Sequence, residues 1–363
     1  MAKKVFIAAT GQNCGKTTMS VSLMHLARKK YDRIGFIKPI GPKVEQFGDI
    51  TVDMDAALMA RTFGLEEDIH LMSPVAMHKN FTRQYLVGII SNETLERQIV
   101  DAVAQLEKKY DLLIIEGAGH SGVGSVIGLS NARVAKLLEA PVMIVSGSGI
   151  GSVIDAVHLN LSLYREEQAD VRMIVVNKLI PGKRDDVLSY LHRAFDHNGQ
   201  HVIGGFNYSP ILANPTLAHI GHLFRLPVRG TDEEKSRIIH QIQLGAASSQ
   251  RVVDGLQDST LMLLTSSRDE LIVTLSSLYH IPAYRDKIAG LVISGRTPIT
   301  NVSQQILDDS GIPYIRIERS TAEVFTAVME DVAKITAADK EKLNWITANA
   351  EREIDFEAID ALL

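Results

Sequence analysis

The chain contains one cysteine in 363 residues, Cys14. A single thiol excludes an internal disulfide and a thiolate zinc cluster. The 12 histidines are scattered, and His219 and His222 lie close together without further ligands, so no metal site is expected there. No apolar run approaches the ~18 residues of a membrane-spanning helix. The opening Met-Ala-Lys-Lys leads into a strand rather than a signal-peptide core, so a cytoplasmic protein with no membrane partner is expected. Positive charge is not in excess either. The formal net charge is −5, which gives no basic footprint for nucleic acid. The length is enough for two domains.

The N-terminal stretch carries the strongest signal. Val5 to Ala8 form a short apolar run suited to a buried strand. Thr10 to Thr17 then read Thr-Gly-Gln-Asn-Cys-Gly-Lys-Thr, matching a phosphate-binding loop, and Met19, Leu23 and Leu26 recur at helical spacing behind it. A loop of this kind turns backbone N–H groups inward, and the following helix adds its positive end. Gly15 lets the backbone approach a phosphate, Lys16 reaches the β- and γ-phosphates, and the Thr17 hydroxyl ligates Mg2+. Thr10, Gly11 and Thr18 complete the expected nucleotide-binding set. Thr10 stands where the general pattern begins with Gly. Cys14 is expected to be a small filler within the loop rather than a redox switch.

Further candidates stand at strand ends. Arg33 to Ile37 read as a strand running into Lys38-Pro39, and a lysine at that end sits where α/β proteins bind ligands. Asp53-Met54-Asp55 open a helix; the acids either complement its dipole or supply a carboxylate to Mg2+. Residues 64–94 read as loops and short helices, and Leu95 to Lys108 as a helix with Ile99, Val103 and Leu106 on one face. Leu112 to Ile115 form another buried strand, ending in Glu116, a carboxylate placed for the same magnesium, with Gly117 and Gly119 beyond it. Strands follow at Pro141–Ser146, Met173–Val176 and Val202–Phe206. Asn177, at the end of the second of these strands, offers both a donor and an acceptor, suited to an adenine edge. Strands alternating with helices imply an α/β fold with a doubly wound, mainly parallel sheet.

A second, smaller α/β module follows. Strands are expected at Leu261–Leu264, Ile288–Ile293 and Ile312–Ile317, with helices at Val252–Leu256, Arg268–Leu278, Val302–Asp309 and 321–334. Thr336 with Asp339 resembles a capping box for a charged terminal helix, read as a solvated or docking appendage. The expected divisions are residues 1–220, 221–335 and 336–363.

These residues resemble a known group. Thr10 to Thr17, Lys38-Pro39, Asp55, Glu116-Gly117-Ala118-Gly119 and Asn177 are similar to the motifs of the dethiobiotin synthetase-like P-loop ATPases, a group that includes cobyrinic acid a,c-diamide synthases. Gly245-Ala246, Ser267-Arg268-Asp269 and Ser294-Gly295-Arg296-Thr297 resemble a DRTGG domain. The two together are similar to the N-terminal regions of long phosphate acetyltransferases. The resemblance implies ATP and Mg2+ as cofactors, with Lys16 on the phosphates and Thr17, Asp55 and Glu116 on the metal. It also implies Asn177 on adenine, Lys38 neutralising a phosphorylated carboxyl-type substrate, and Lys16, Lys38 and Glu116 as the catalytic set. Residues argue against two branches. Glutamine-dependent amidation needs a nucleophilic cysteine, and Cys14 is committed to the loop. Gly11 replaces the signature lysine of the MinD/ParA relatives. No stretch of acetyltransferase-domain size follows position 363, so acetyl transfer is not expected of this chain. The expected function is a Mg-ATP-binding regulatory protein or ATPase; the alternative is an ATP-dependent ligase activating a carboxylate or carbamate. Expected partners are the nucleotide, a small-molecule substrate or effector, and a second copy in a homodimer.

Overall fold

The computed structural model describes residues 2–331 and 333–363. The chain divides into two compact units. One comprises the chain as far as Tyr208 together with Lys342–Leu363; the other is Ser209–Glu341.

The first unit is built on a six-stranded parallel sheet in the order His201–Asn207, Val171–Leu179, Val142–Ser146, Lys3–Ala9, Leu112–Glu116, Ile34–Ile37. Val5 to Ala9 are fully buried, which is why this strand reads as a continuous apolar run rather than an alternating one. It lies at the centre, where the chain order reverses, and ligands of such sheets bind outside the carboxyl ends at that reversal. The helix Lys16–Ala27 follows directly, burying Met19, Leu23, Met24 and Leu26. Its N-cap is Gly15 at φ 102, with no side-chain cap and no acid in the first turn. The positive helix end is therefore left for an outside anion. An antiparallel hairpin, Val44–Phe47 with Ile50–Asp53, precedes the helix Met54–Phe63; its mixed polarity gave no strand signal in the sequence.

The second unit has a four-stranded parallel sheet in chain order: Gln241–Leu244, Thr260–Thr265, Ile288–Ser294, Tyr314–Ile317. Along Leu261-Met262-Leu263-Leu264 the side chains alternate between two cores. Met262 and Leu264 pack with Val252, Leu271, Leu275 and Leu307. Leu261 and Leu263 pack with Leu217, Ile220, Phe224, Val324 and Val328. The helix Leu217–Phe224 thus belongs to this unit, ahead of the division expected at 220. The helix expected over 321–334 runs Thr321–Glu330, and Val332 lies outside the described residues. Asp339 accepts hydrogen bonds from the backbone N–H and hydroxyl of Thr336, at 2.7 and 2.9 Å, in the turn before the helix Lys340–Glu353.

Of the two readings of the terminal segment, solvated or docking, the structure matches docking: Lys342–Leu363 belong to the first unit. Ile346, Ala350, Ile354, Phe356 and Ile359 are buried, and charged groups fasten the segment to the first unit. Asp360 pairs with Lys3 at 2.9 Å and Lys30 at 2.8 Å, and accepts from the Tyr31 hydroxyl. Glu351 holds His25 and Lys29 at the end of the first helix, and Glu353 accepts from the Asn207 backbone and side chain at 2.9 and 2.8 Å. The high charge content that suggested solvation serves instead to make these pairs.

Candidate functional site

Three adjacent parallel strands end together, and each delivers one piece of the site. After Ala9 comes the Thr10–Thr17 loop; Glu116 ends the next strand, in register with Ile7; Lys38 follows Ile37 on the third. The Lys38 ammonium lies 2.8 Å from Glu116 Oε1 and 2.9 Å from Asp55 Oδ2, and donates to the Gly117 carbonyl at 3.0 Å. The three charged side chains are 3, 6 and 1% exposed for Lys38, Asp55 and Glu116. Burial alone would push the Lys38 pKa down; the Asp55 and Glu116 carboxylates overcome it and hold the ammonium charged. Asp55 is set by its helix: Asp53 caps the Met54–Phe63 helix by accepting the Asp55 N–H at 2.8 Å.

The Thr17 hydroxyl lies 3.4 Å from both Asp55 Oδ1 and Glu116 Oε1. Hydroxyl and two carboxylates converge on a place that a cation, the Lys38 ammonium, already favours. Among the described residues no group of three or more His, Cys, Asp or Glu could hold a metal unaided. Mg2+ suits this donor set, because it binds through one or two carboxylates and keeps water and phosphate oxygens for its other positions. Lys16 donates to the Gly119 carbonyl at 2.9 Å, and burial lowers its pKa against the pull of Glu116. An anion at the loop would meet a lysine already desolvated there.

The sequence did not single out several supporting groups. Ser20 donates to Glu116 Oε2 at 2.6 Å; its position four residues after Lys16, on the same helix face, was the available signal. Thr10 meets the Ser146 hydroxyl at 3.1 Å, so the residue standing in place of the usual glycine is tied to the neighbouring strand. Asn131 holds the loop after Glu116: it accepts from the Ala118 N–H at 3.0 Å and donates to the Ala118 and His120 carbonyls at 2.5 and 2.6 Å. A Cβ on Gly117 would lie 2.6 Å from Asn131 Oδ1, so that glycine is a packing requirement. Gly11 has room for a Cβ, and Thr18 is buried in the first helical turn. Asn177 is buried beneath the loop with its amide engaged by Cys14 and Lys178, away from the carboxylate pair's cluster of partners.

In the second unit the motif loops are tied by arginines. Arg268 donates to the Gly245 and Ala247 carbonyls at 2.7 and 2.9 Å, and Arg316 to those of Gly295 and Thr297 at 2.5 and 2.8 Å. No helix among the described residues is long and apolar enough to cross a membrane.

The chain is similar to several known proteins. The phosphate acetyltransferase of Pseudomonas aeruginosa is 23% identical over 372 residues, covering 97% of this chain and 51% of that protein. The chain therefore spans about half the length of that relative. The cobyric acid synthase of Pelotomaculum thermopropionicum is 29% identical over 233 residues, covering 57% of this chain and 43% of the relative. The ATP-dependent dethiobiotin synthetase of Methanococcus vannielii is 25% identical over 173 residues, covering 48% and 78%. Residues 3–216, more than half of the sequence, match the AAA domain family (AAA_26), and the chain belongs to that family.

Proposed function

We propose that this protein binds Mg-ATP at the Thr10–Thr17 loop and acts as a nucleotide-dependent regulatory protein or ATPase of the cytosol, related to the N-terminal region of phosphate acetyltransferases. The observation that carries the reading is the convergence of Lys16, Thr17, Lys38, Asp55 and Glu116 at three neighbouring strand ends. In this reading the loop N–H groups and Lys16 hold the β- and γ-phosphates. Thr17, Asp55 and Glu116 hold Mg2+, which supplies charge neutralisation on the phosphates. Lys38 stays charged at the buried end of the site, where negative charge develops on a transferred phosphoryl group. The second unit serves as the sensing module, and a homodimer is the expected assembly; the exposed Leu86, Val87 and Ile89 offer an apolar patch for it, and light scattering reads the mass.

The test is calorimetry with Mg-ATP on the full chain and on Lys16→Ala. Affinity should fall sharply in the variant, and equal affinity would refute the reading. A second reading is an ATP-dependent ligase activating a carboxylate or carbamate. It is favoured by Lys38, a fixed cation beside the metal carboxylates able to face an acyl phosphate or carbamate. Supplying diaminopelargonate, bicarbonate and Mg-ATP and looking for dethiobiotin by mass spectrometry decides one substrate; no dethiobiotin is expected. The wall beyond Lys38 carries Pro42 and Lys43, and His120 stands in the loop after Glu116. Small errors of substrate placement cost about 100-fold in rate.

A further inference from the structure

The end of the Val171–Leu179 strand is shaped around one side chain. Asn177 is buried, its Nδ2 donates to the Cys14 carbonyl at 2.8 Å, and its Oδ1 accepts the Lys178 N–H at 2.8 Å. Two irregularities accompany it. Lys178 takes φ 61, the left-handed region that residues with a long side chain rarely enter. The neighbouring strand shifts register at Gly205, where an added Cβ would lie 1.6 Å from the Val176 carbonyl oxygen. On the other side, Gly15 is left-handed at φ 102, and a Cβ there would lie 2.0 Å from Asn177 Nδ2. The loop is fitted to the amide, and the neighbouring strand to the backbone just before it.

We infer that Asn177 is a positioning residue for the phosphate loop, acting through the Cys14–Gly15 peptide rather than on a nucleotide base. The N–H and C=O of a trans peptide point in opposite directions. Drawing the Cys14 carbonyl down onto Asn177 therefore turns the Gly15 N–H away from the sheet and towards the loop's concave side, where a phosphate oxygen would sit. The bond to Lys178 fixes which amide atom faces the loop, since an Oδ1 already accepting an N–H leaves Nδ2 for Cys14. This inference rests on the nucleotide reading above, and it differs from the adenine contact that the sequence suggested for the same residue.

The two roles separate by probe. Calorimetry on the full chain would use Mg-ATP, Mg-GTP and Mg-tripolyphosphate, the last having no base at all. Asn177→Leu keeps the side-chain shape and removes both hydrogen bonds. All three affinities should fall together by about tenfold, the worth of one well-placed hydrogen bond. The ratio of ATP to tripolyphosphate affinity should stay that of the wild type, and an unchanged urea midpoint and slope for the variant would separate this uniform loss from a general loosening of the fold, which lowers all affinities alike. Gly15→Ala presses on the same contact from the loop side and should give the same uniform loss, which keeps the test open if the Asn177 variant folds poorly. Variants that bind tripolyphosphate like the wild type while losing ATP would overturn the assignment and return Asn177 to the base. A wild type that binds ATP but loses nothing in either variant would overturn it equally. A wild type that takes up none of the three would refute the nucleotide reading itself, and this assignment with it.

Discussion

Replacing Lys38 with Met should make the first unit dependent on a divalent cation for its stability. Methionine fills the volume of the lysine stem but leaves the Asp55 and Glu116 carboxylates, both almost fully buried, without the ammonium that lies 2.9 and 2.8 Å from them. Removing one partner of a buried ion pair costs about 3–5 kcal/mol, because the remaining charge stays desolvated. A unit of this size loses roughly 2–4 °C per kcal/mol, so the melting transition should fall by about 10 °C in EDTA. Mg2+ then has a place to bind without nucleotide. A ligand at about 100 times its Kd returns ~2.7 kcal/mol, so millimolar Mg2+ should recover much of the loss in the variant. The wild type, whose lysine already neutralises the pair, should shift little. Differential scanning calorimetry with and without Mg2+ measures both quantities. A variant that melts with the wild type in EDTA would refute the reasoning, and so would equal stabilisation of both proteins by Mg2+.

Other outcomes follow from the same contacts. Glu116→Gln should leave ATP affinity in EDTA unchanged and flatten its dependence on Mg2+, since the lost charge faces the metal; an unaltered Mg2+ titration would count against that role. Asp360 has its carboxyl pKa lowered to about 2: burial opposes the shift, and the bonds from Lys30, Tyr31 and Lys3 win. A folded value below the ordinary one stabilises at neutral pH and is lost as pH falls from about 4 towards 2. With Lys3 and Lys30 partly exposed, the contribution is about 1 kcal/mol. Asp360→Asn should remove that acid-dependent part, seen as closer urea midpoints at pH 3 and pH 7. A fragment of residues 209–341 should melt cooperatively on its own. One beginning at 221 lacks Leu217 and Ile220 from its core and should be less stable by several kcal/mol, in line with about 2–5 kcal/mol for each large core side chain lost.

The sequence was most legible where one residue type has one physical use. The Lys3–Ala9 and Leu112–Glu116 strands are buried on both faces, so they appear as apolar runs, and the site residues at their ends are fixed by chain continuity. Asp55 was read with its alternative, dipole complement or metal carboxylate, and the structure sets it beside Lys38 and Thr17. What could not be read depends on distant partners. Nothing local says that Ser146 would anchor Thr10, that Asn131 would brace the loop after Glu116, or that Asn177 would face Cys14. The Val44–Phe47 hairpin has little apolar periodicity because it is only partly buried. The terminal helix left solvated and docking readings both open for the opposite reason: its acids look like a solvated face, and the Lys3, His25 and Lys30 partners of Asp360, Glu351 and Glu357 lie more than 300 residues away.

The Lys3–Asp360 bond joins positions 357 apart. During synthesis, the first unit can form its sheet once residue 208 has emerged, yet its final helices arrive only after the whole second unit has been made. Closing so long a loop delays the last step of folding relative to the local contacts that precede it. The surface that the terminal helices will cover, at the end of the phosphate-loop helix, stays open to water and to other chains for that interval. Any nascent chain interrupted before residue 342 would carry that open face permanently.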